Sequence, residues 1–110
     1  MKILLDENLH RKLKFEFVDH QVYTVSEMHW LGKSNGELLK LMVNANFQAF
    51  ITTDKNLQFQ QNLTLYPITI FLLNANDLKY STHKPLIPLV LEKLTEEIEP
   101  GLIEIKEQKI

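Results

Sequence analysis

The chain has 110 residues, 45% of them hydrophobic and 24% charged, with 12 Lys+Arg against 14 Asp+Glu for a formal net charge of −2. These proportions suit a single globular domain over residues 1–110, long enough to bury about two-thirds of the surface it exposes when unfolded. The absence of Cys excludes a disulfide scaffold, a zinc-thiolate site and a cysteine nucleophile. The slight acidic excess argues against a non-specific coat on DNA, while leaving room for an enzyme that engages nucleic acid briefly.

Ile3-Leu4-Leu5 is short and wholly apolar, as a strand buried on both faces should be, and it stops at Asp6-Glu7-Asn8. Asn8 is placed to cap a helix whose apolar positions Leu9, Leu13 and Phe17 fall four apart. Val22-Tyr23-Thr24-Val25 predicts a second strand, and Ser26 to Lys33 a loop or short helical turn, with Tyr23 and Trp30 in the core. Ser34-Asn35-Gly36-Glu37 has capping-box spacing, and Leu38, Leu41, Met42 and Ala45 behind it recur at helical spacing. Ala49 to Thr53 predicts a third strand ending at Asp54-Lys55-Asn56, and Ile68 to Leu73 a fourth. Pro85 and Pro88 mark the start of a helix with Leu86, Leu89, Val90 and Leu94 on its apolar face; Pro100-Gly101 ends it. Leu102 to Lys106 alternates as a half-exposed edge strand, with the tail pairing nearby or frayed. The order β-α-β-α-β-β-α-β predicts an α/β fold, a three-layer α/β/α sandwich around a mainly parallel sheet. No apolar run approaches the roughly 20 residues that span a bilayer, and the N-terminus lacks the apolar stretch of a signal peptide, so a cytoplasmic location without membrane contact is expected.

Ligands of open parallel sheets bind beyond the carboxyl ends of the strands. Asp6 and Asp54 both fall there, and Glu37, in the first turn of the intervening helix, falls at the same end. An Asp after a strand is commonly a turn residue or a helix cap, and either aspartate alone reads that way. The pair together weighs towards a site. Glu37 has two roles open to it, the capping box and metal ligation. Three converging carboxylates suit Mg²⁺, which takes one or two protein carboxylates, several waters and a substrate phosphate. The basic run at Arg11, Lys12 and Lys14 reads as a solvated helix face that also lies within reach of a phosphate backbone. The four histidines show no metal-binding spacing, and Gly32 and Gly36 form no phosphate loop.

Four pieces occur in one consistent order: Met1-Lys2-Ile3-Leu4-Leu5-Asp6-Glu7-Asn8-Leu9, His20-Gln21-Val22-Tyr23-Thr24-Val25, Ser34-Asn35-Gly36-Glu37-Leu38-Leu39 and Phe50-Ile51-Thr52-Thr53-Asp54-Lys55-Asn56-Leu57. This set resembles the small bacterial PIN-like domains, predicted toxin ribonucleases related to VapC toxins, and the resemblance runs from Met1 to about Leu73. It implies a PIN-like sandwich and Mg²⁺- or Mn²⁺-dependent cleavage of RNA to a 3′-hydroxyl and a 5′-phosphate. RNA, an antitoxin protein and a second copy of the chain are the partners it implies. Asp6 and Asp54 match the metal-binding aspartates of the family, Glu37 a position that is commonly acidic, and Glu27 one where Glu is frequent. Asn8, Asn35, Thr53, Asn56 and Arg11 are then candidates for contacting substrate or orienting the ligands. The chain departs from the family pattern at Asn35 and Asn56, where acids are usual, and at Leu57, where Phe is usual. A carboxylate ~4 Å from a divalent ion attracts it by roughly 8 kcal/mol gross at an effective dielectric of ~20, and an amide gives most of that up. Two readings therefore stand: a PIN-type metal-dependent ribonuclease carried by Asp6, Asp54 and Glu37, and a catalytically weakened module that binds RNA or a partner protein.

Overall fold

Runs in which every side chain is apolar or β-branched suit strands covered on both faces, and three such runs lie at the centre of a single sheet. The computed structural model describes residues 1–106. Its strands are β1 (Lys2–Leu5), β2 (Gln21–Thr24), β3 (Ala49–Thr52), β4 (Thr69–Asn74) and β5 (Gly101–Lys106). They lie in the order β2-β1-β3-β4-β5, and every neighbouring pair is parallel. The expected α/β architecture is present, with the sheet wholly rather than mainly parallel. Among the described residues no helix is long and apolar enough to cross a membrane.

Side chains alternate across a strand, so each central strand supplies two apolar faces. On one face Ile3, Leu5, Ile51 and Phe71 pack with Leu13 and with Ile87 and Val90. On the other, Leu4, Phe50 and Ile70 pack with Leu38, Leu39 and Met42. The second face is covered by α1 (Asn35–Asn44), capped as the sequence predicts by Ser34 and Glu37. Its far end is closed by Lys2, whose ammonium donates to the Ala45 carbonyl at 2.7 Å. Tyr23 and Trp30, expected in the core, are only partly buried and meet the Phe47 ring edge-on.

Three elements differ from expectation. The first helix does not start at Asn8. The Leu9 N–H donates instead to the Asp6 carbonyl in a turn at the strand end, which delays helical bonding. The helix is a 3₁₀ segment, Arg11–Glu16, capped by His10, whose Nδ1 accepts the Lys12 N–H at 3.1 Å. No acid stands in its first turn, and Arg11 and Lys12 there oppose the helix dipole, which favours a short element. Leu9, Leu13 and Phe17 are nevertheless all buried, so the four-residue spacing identified the contacts and not the helix type.

Between β3 and β4, where a direct connection was expected, the chain forms α2 (Leu57–Gln60) and a 3₁₀ turn, Leu63–Leu65. Four helical residues leave no legible period, although Leu57 is fully buried. The last helix begins earlier than Pro85, at α3 (Tyr80–His83), and runs through a 3₁₀ turn, Lys84–Leu86, into α4 (Ile87–Leu94). Pro85 and Pro88 fall in the first turns of the second and third pieces. A proline there withdraws a donor and divides the arm. The edge strand at Gly101–Lys106 is present and pairs with β4 along its whole length; the tail beyond it lies outside the described residues.

The 3₁₀ segment presents a core side and a solvent side, Leu13 being 0% and Phe15 74% exposed. Leu13→Ala is expected to lower the unfolding free energy by about 3 kcal/mol in urea, and Phe15→Ala to change it by less than about 0.5 kcal/mol. Comparable losses at both positions would contradict this division.

Candidate functional site

In a sheet ordered 2-1-3-4-5, chain connections leave β1 and β3 in opposite directions, and the crevice outside their carboxyl ends is where such folds bind ligands. Asp6 leaves β1 and Asp54 follows β3, so the two aspartates flank that crevice. Continuing the alternation from Leu4 and from Phe50 puts Asp6, Thr52 and Asp54 on the α1 side of the sheet. The Asp6 N–H extends the β1–β3 ladder by donating to the Ile51 carbonyl at 2.9 Å.

A hydrogen-bonded chain joins the two acids. The Thr52 hydroxyl, fully buried, donates to Asp6 Oδ2 at 2.6 Å and accepts the Asp54 N–H at 3.0 Å. Asp6 Oδ1 accepts the Glu7 N–H at 2.8 Å. Asp54 Oδ1 accepts the Asn56 N–H, and Asp54 Oδ2 accepts the Asn35 amide, both at 2.9 Å. Because Asn35 is the first residue of α1, its amide ties the start of that helix to the end of β3.

Burial pushes the Asp6 carboxyl above its ordinary value of 3.8. The Thr52 and Glu7 donors pull it back, while the negative charges of Glu7 and Asp54 add to the rise. Asp54 is thus near enough for its charge to be felt at Asp6.

The expected convergence of three carboxylates is not made. Glu37 Oε1 accepts from the Ser34 hydroxyl at 3.0 Å and from the Ser34 N–H at 3.4 Å, closing the capping box. These bonds to Ser34 hold the Glu37 carboxyl below its ordinary value, and the side chain is 58% exposed beside Lys33. The physical reason is proximity: two donors on Ser34 stand one helical turn away and capture the carboxylate locally. Among the described residues no group of three His, Asp or Glu converges as a metal cluster.

The other candidates divide. Asn35 and Asn56 both act on Asp54, one through its side chain and the other through its backbone. Glu27 is held by a two-pronged contact from Lys14 Nζ at 2.9 and 3.0 Å and by the Thr24 N–H. Asn8 is exposed, and Thr53 neighbours the crevice without a hydrogen bond from its side chain among the described contacts. Arg11 lies in a separate cleft lined also by Thr24 and Ser26, around the 3₁₀ segment. Thr52 was missed. The signal was available in the period of two, which sets Thr52, and not Thr53, on the face that carries both aspartates.

The donor set of this pair suits a hard divalent cation. An ionised carboxylate offers about four lone-pair sites, and each aspartate accepts from two protein donors, which leaves acceptor capacity on both. Two carboxylates with water and phosphate completing the shell is an ordinary arrangement for Mg²⁺.

A raised value in the folded state means that Asp6 adds stability in acid. This contribution is fully present below 3.8 and is lost as pH rises through the raised value. Thr52→Val removes a donor that favours the ionised form and raises Asp6 further. Its cost is expected to be about 2 kcal/mol at pH 7 and smaller in acid, where Asp6 is neutral; Thr52→Ser keeps the hydroxyl and should lose less. Urea unfolding across pH measures this, and a cost independent of pH would show that the hydroxyl does not act through the Asp6 charge.

No protein-family model matches the chain, and neither a curated protein nor a solved structure does.

Proposed function

We propose that the chain is a PIN-type, metal-dependent ribonuclease in which Asp6 and Asp54 hold Mg²⁺ or Mn²⁺. The observation that carries this reading is the pair of aspartates joined through Thr52 at the β1–β3 crevice. What such an ion supplies when bound is Lewis acidity towards phosphoryl oxygens and a lowered pKa for coordinated water. The chain's own residues do the positioning. Thr52 fixes the Asp6 carboxylate and Asn35 fixes that of Asp54, so the two acids would meet such an ion with their orientation already set. Because a proton on Asp6 competes with a cation, affinity for metal rises with pH through the raised Asp6 value.

The sequence resemblance extends the proposal to a toxin acting on RNA in the cytoplasm, with an antitoxin protein and a second copy of the chain as partners. Glu37 is left out of the reaction in this reading, since the capping box occupies it.

One observation favours the weaker alternative, a module that binds RNA or a partner protein without efficient cleavage. Asn35 and Asn56 stand where the family is usually acidic, and the Asn35 amide donates to Asp54 rather than adding a charge. Mn²⁺-dependent turnover by pure protein, abolished by chelator, separates the two readings.

Mn²⁺ is expected to raise the melting temperature of the wild type, since a ligand of the native state stabilises it by about 2.7 kcal/mol at a hundredfold excess over Kd. Asp6→Asn with Asp54→Asn should abolish that shift and lower cleavage at least about 100-fold, a loss of roughly 2.7 kcal/mol or more of transition-state stabilisation. Glu37→Gln should leave cleavage close to wild type. Cleavage that survives unchanged in the double variant would remove the nuclease proposal.

A further inference from the structure

The 3₁₀ segment Arg11–Glu16 buries Leu13 against one face of the sheet and turns Phe15, 74% exposed, to solvent. Between the segment and the turn after β2 lies a cleft of about 490 Å³. Phe15, the cations Arg11, Lys12 and Lys14, and Thr24 and Glu27 contribute to its walls. This is a different surface from the α1 face that carries Asp6 and Asp54.

Charge in the cleft is unequal, three cations standing with one carboxylate. Lys14 and Glu27 neutralise each other at 2.9 Å. Arg11 and Lys12 are exposed and, among the described residues, have no carboxylate within salt-bridge distance. Apolar surface lies open beside them, since Val18, just past the segment, is 70% exposed as well. The segment is held from behind, where Glu16 accepts from the Tyr80 hydroxyl at 2.5 Å and pairs with Lys84 at 3.7 Å. A partner meeting it therefore has little ordering to offset.

Three features narrow the occupant. A small molecule is poorly suited, because ligand pockets enclose most of their ligand and Phe15 stands largely in the open. A further strand is blocked at this end of β2, although β2 is the last strand of the sheet. The Thr24 N–H is taken by Glu27 Oε1 at 3.1 Å and the Thr24 carbonyl by the Met28 N–H at 3.2 Å. A nucleic-acid strand follows a track of cations, whereas here two adjacent cations make one point of charge on a chain of net charge −2. What remains is side-chain recognition by a short segment that joins carboxylates to a large apolar group.

We propose that this cleft docks an acidic peptide segment of a partner protein, its apolar side chain covering Phe15 and its carboxylates meeting Arg11 and Lys12. Glu27 sets the strength of that contact by withholding Lys14. The inference does not rest on the ribonuclease reading, since neither aspartate takes part.

The test is a random ten-residue peptide library displayed on phage and panned in parallel on three immobilised proteins: the wild type, Phe15→Ala, and Arg11→Gln with Lys12→Gln. The wild type should enrich peptides in which Asp or Glu flanks a large apolar residue, and the variants should not. The most enriched peptide, synthesised with a fluorescent label, is then titrated by anisotropy. Phe15→Ala should weaken its binding about tenfold, the scale of one anchoring side chain. The double Gln variant should weaken it at low salt and remove most of its salt dependence. Glu27→Gln, which keeps the hydrogen-bonding shape and frees Lys14, should strengthen it roughly threefold. Thermal melts confirm that each variant is folded, all four side chains being exposed. A labelled single-stranded RNA and phosphatidylserine vesicles are titrated alongside. No enrichment, enrichment of peptides without carboxylates, or equal enrichment on wild type and variants would overturn the proposal. So would RNA or vesicles that bind more tightly than the selected peptide and weaken in the same variants.

Discussion

One buried hydroxyl holds the rim of this molecule together. Thr52 stands between Asp6 and Asp54, giving its proton to the first and taking the backbone N–H of the second. Without a donor, a carboxylate as buried as Asp6 is costly in its charged form, and the strand end beside it would not be fixed. The same contact makes β1 and β3 continuous past their last paired residues. It converts two separate strand ends into one surface with a defined spacing of charge.

The rest of the rim is arranged around that surface by short-range capture. Asn35 reaches Asp54 from the first residue of α1, so the helix start is clamped to the sheet through a side chain. One turn further on, Glu37 turns back to Ser34 and serves the helix instead. On the other flank Lys14 takes Glu27. Acidic charge is thereby divided: some is spent on local order, and the part that remains available lies in the crevice at the strand ends. The cations Arg11 and Lys12 lie in the cleft on the Leu13 face, so the two signs are kept on different faces of the sheet.

Much of this was legible in the sequence, for identifiable reasons. Asp6 and Asp54 were visible because an apolar run that stops at an acid marks both a strand end and the side of the sheet where ligands bind. Ser34 and Glu37 announced a capping box through their spacing alone. The same spacing could not tell whether Glu37 would also reach the aspartates, because that depends on which donor lies nearer in space. The choice between Thr52 and Thr53 turned on the pleat, and adjacency to Asp54 in the chain was a poorer guide than the face on which each side chain falls. The helix after β1 was misread because Leu9, Leu13 and Phe17 report burial, whereas the turn at Asp6–Leu9 controls where backbone bonding begins. Leu57–Gln60 was beyond periodicity, since one turn has none.

The parallel arrangement of all five strands has a consequence for biosynthesis. A hairpin forms as soon as its second arm emerges, whereas a parallel pair must wait for an entire crossover to be made. The innermost strands, which are the most apolar, stay open during that wait and are exposed to chaperones and proteases. Asp6 emerges early yet has no Thr52 beside it until β3 has docked, so a nascent chain cannot assemble the crevice piecemeal. The crevice arises only with the completed topology.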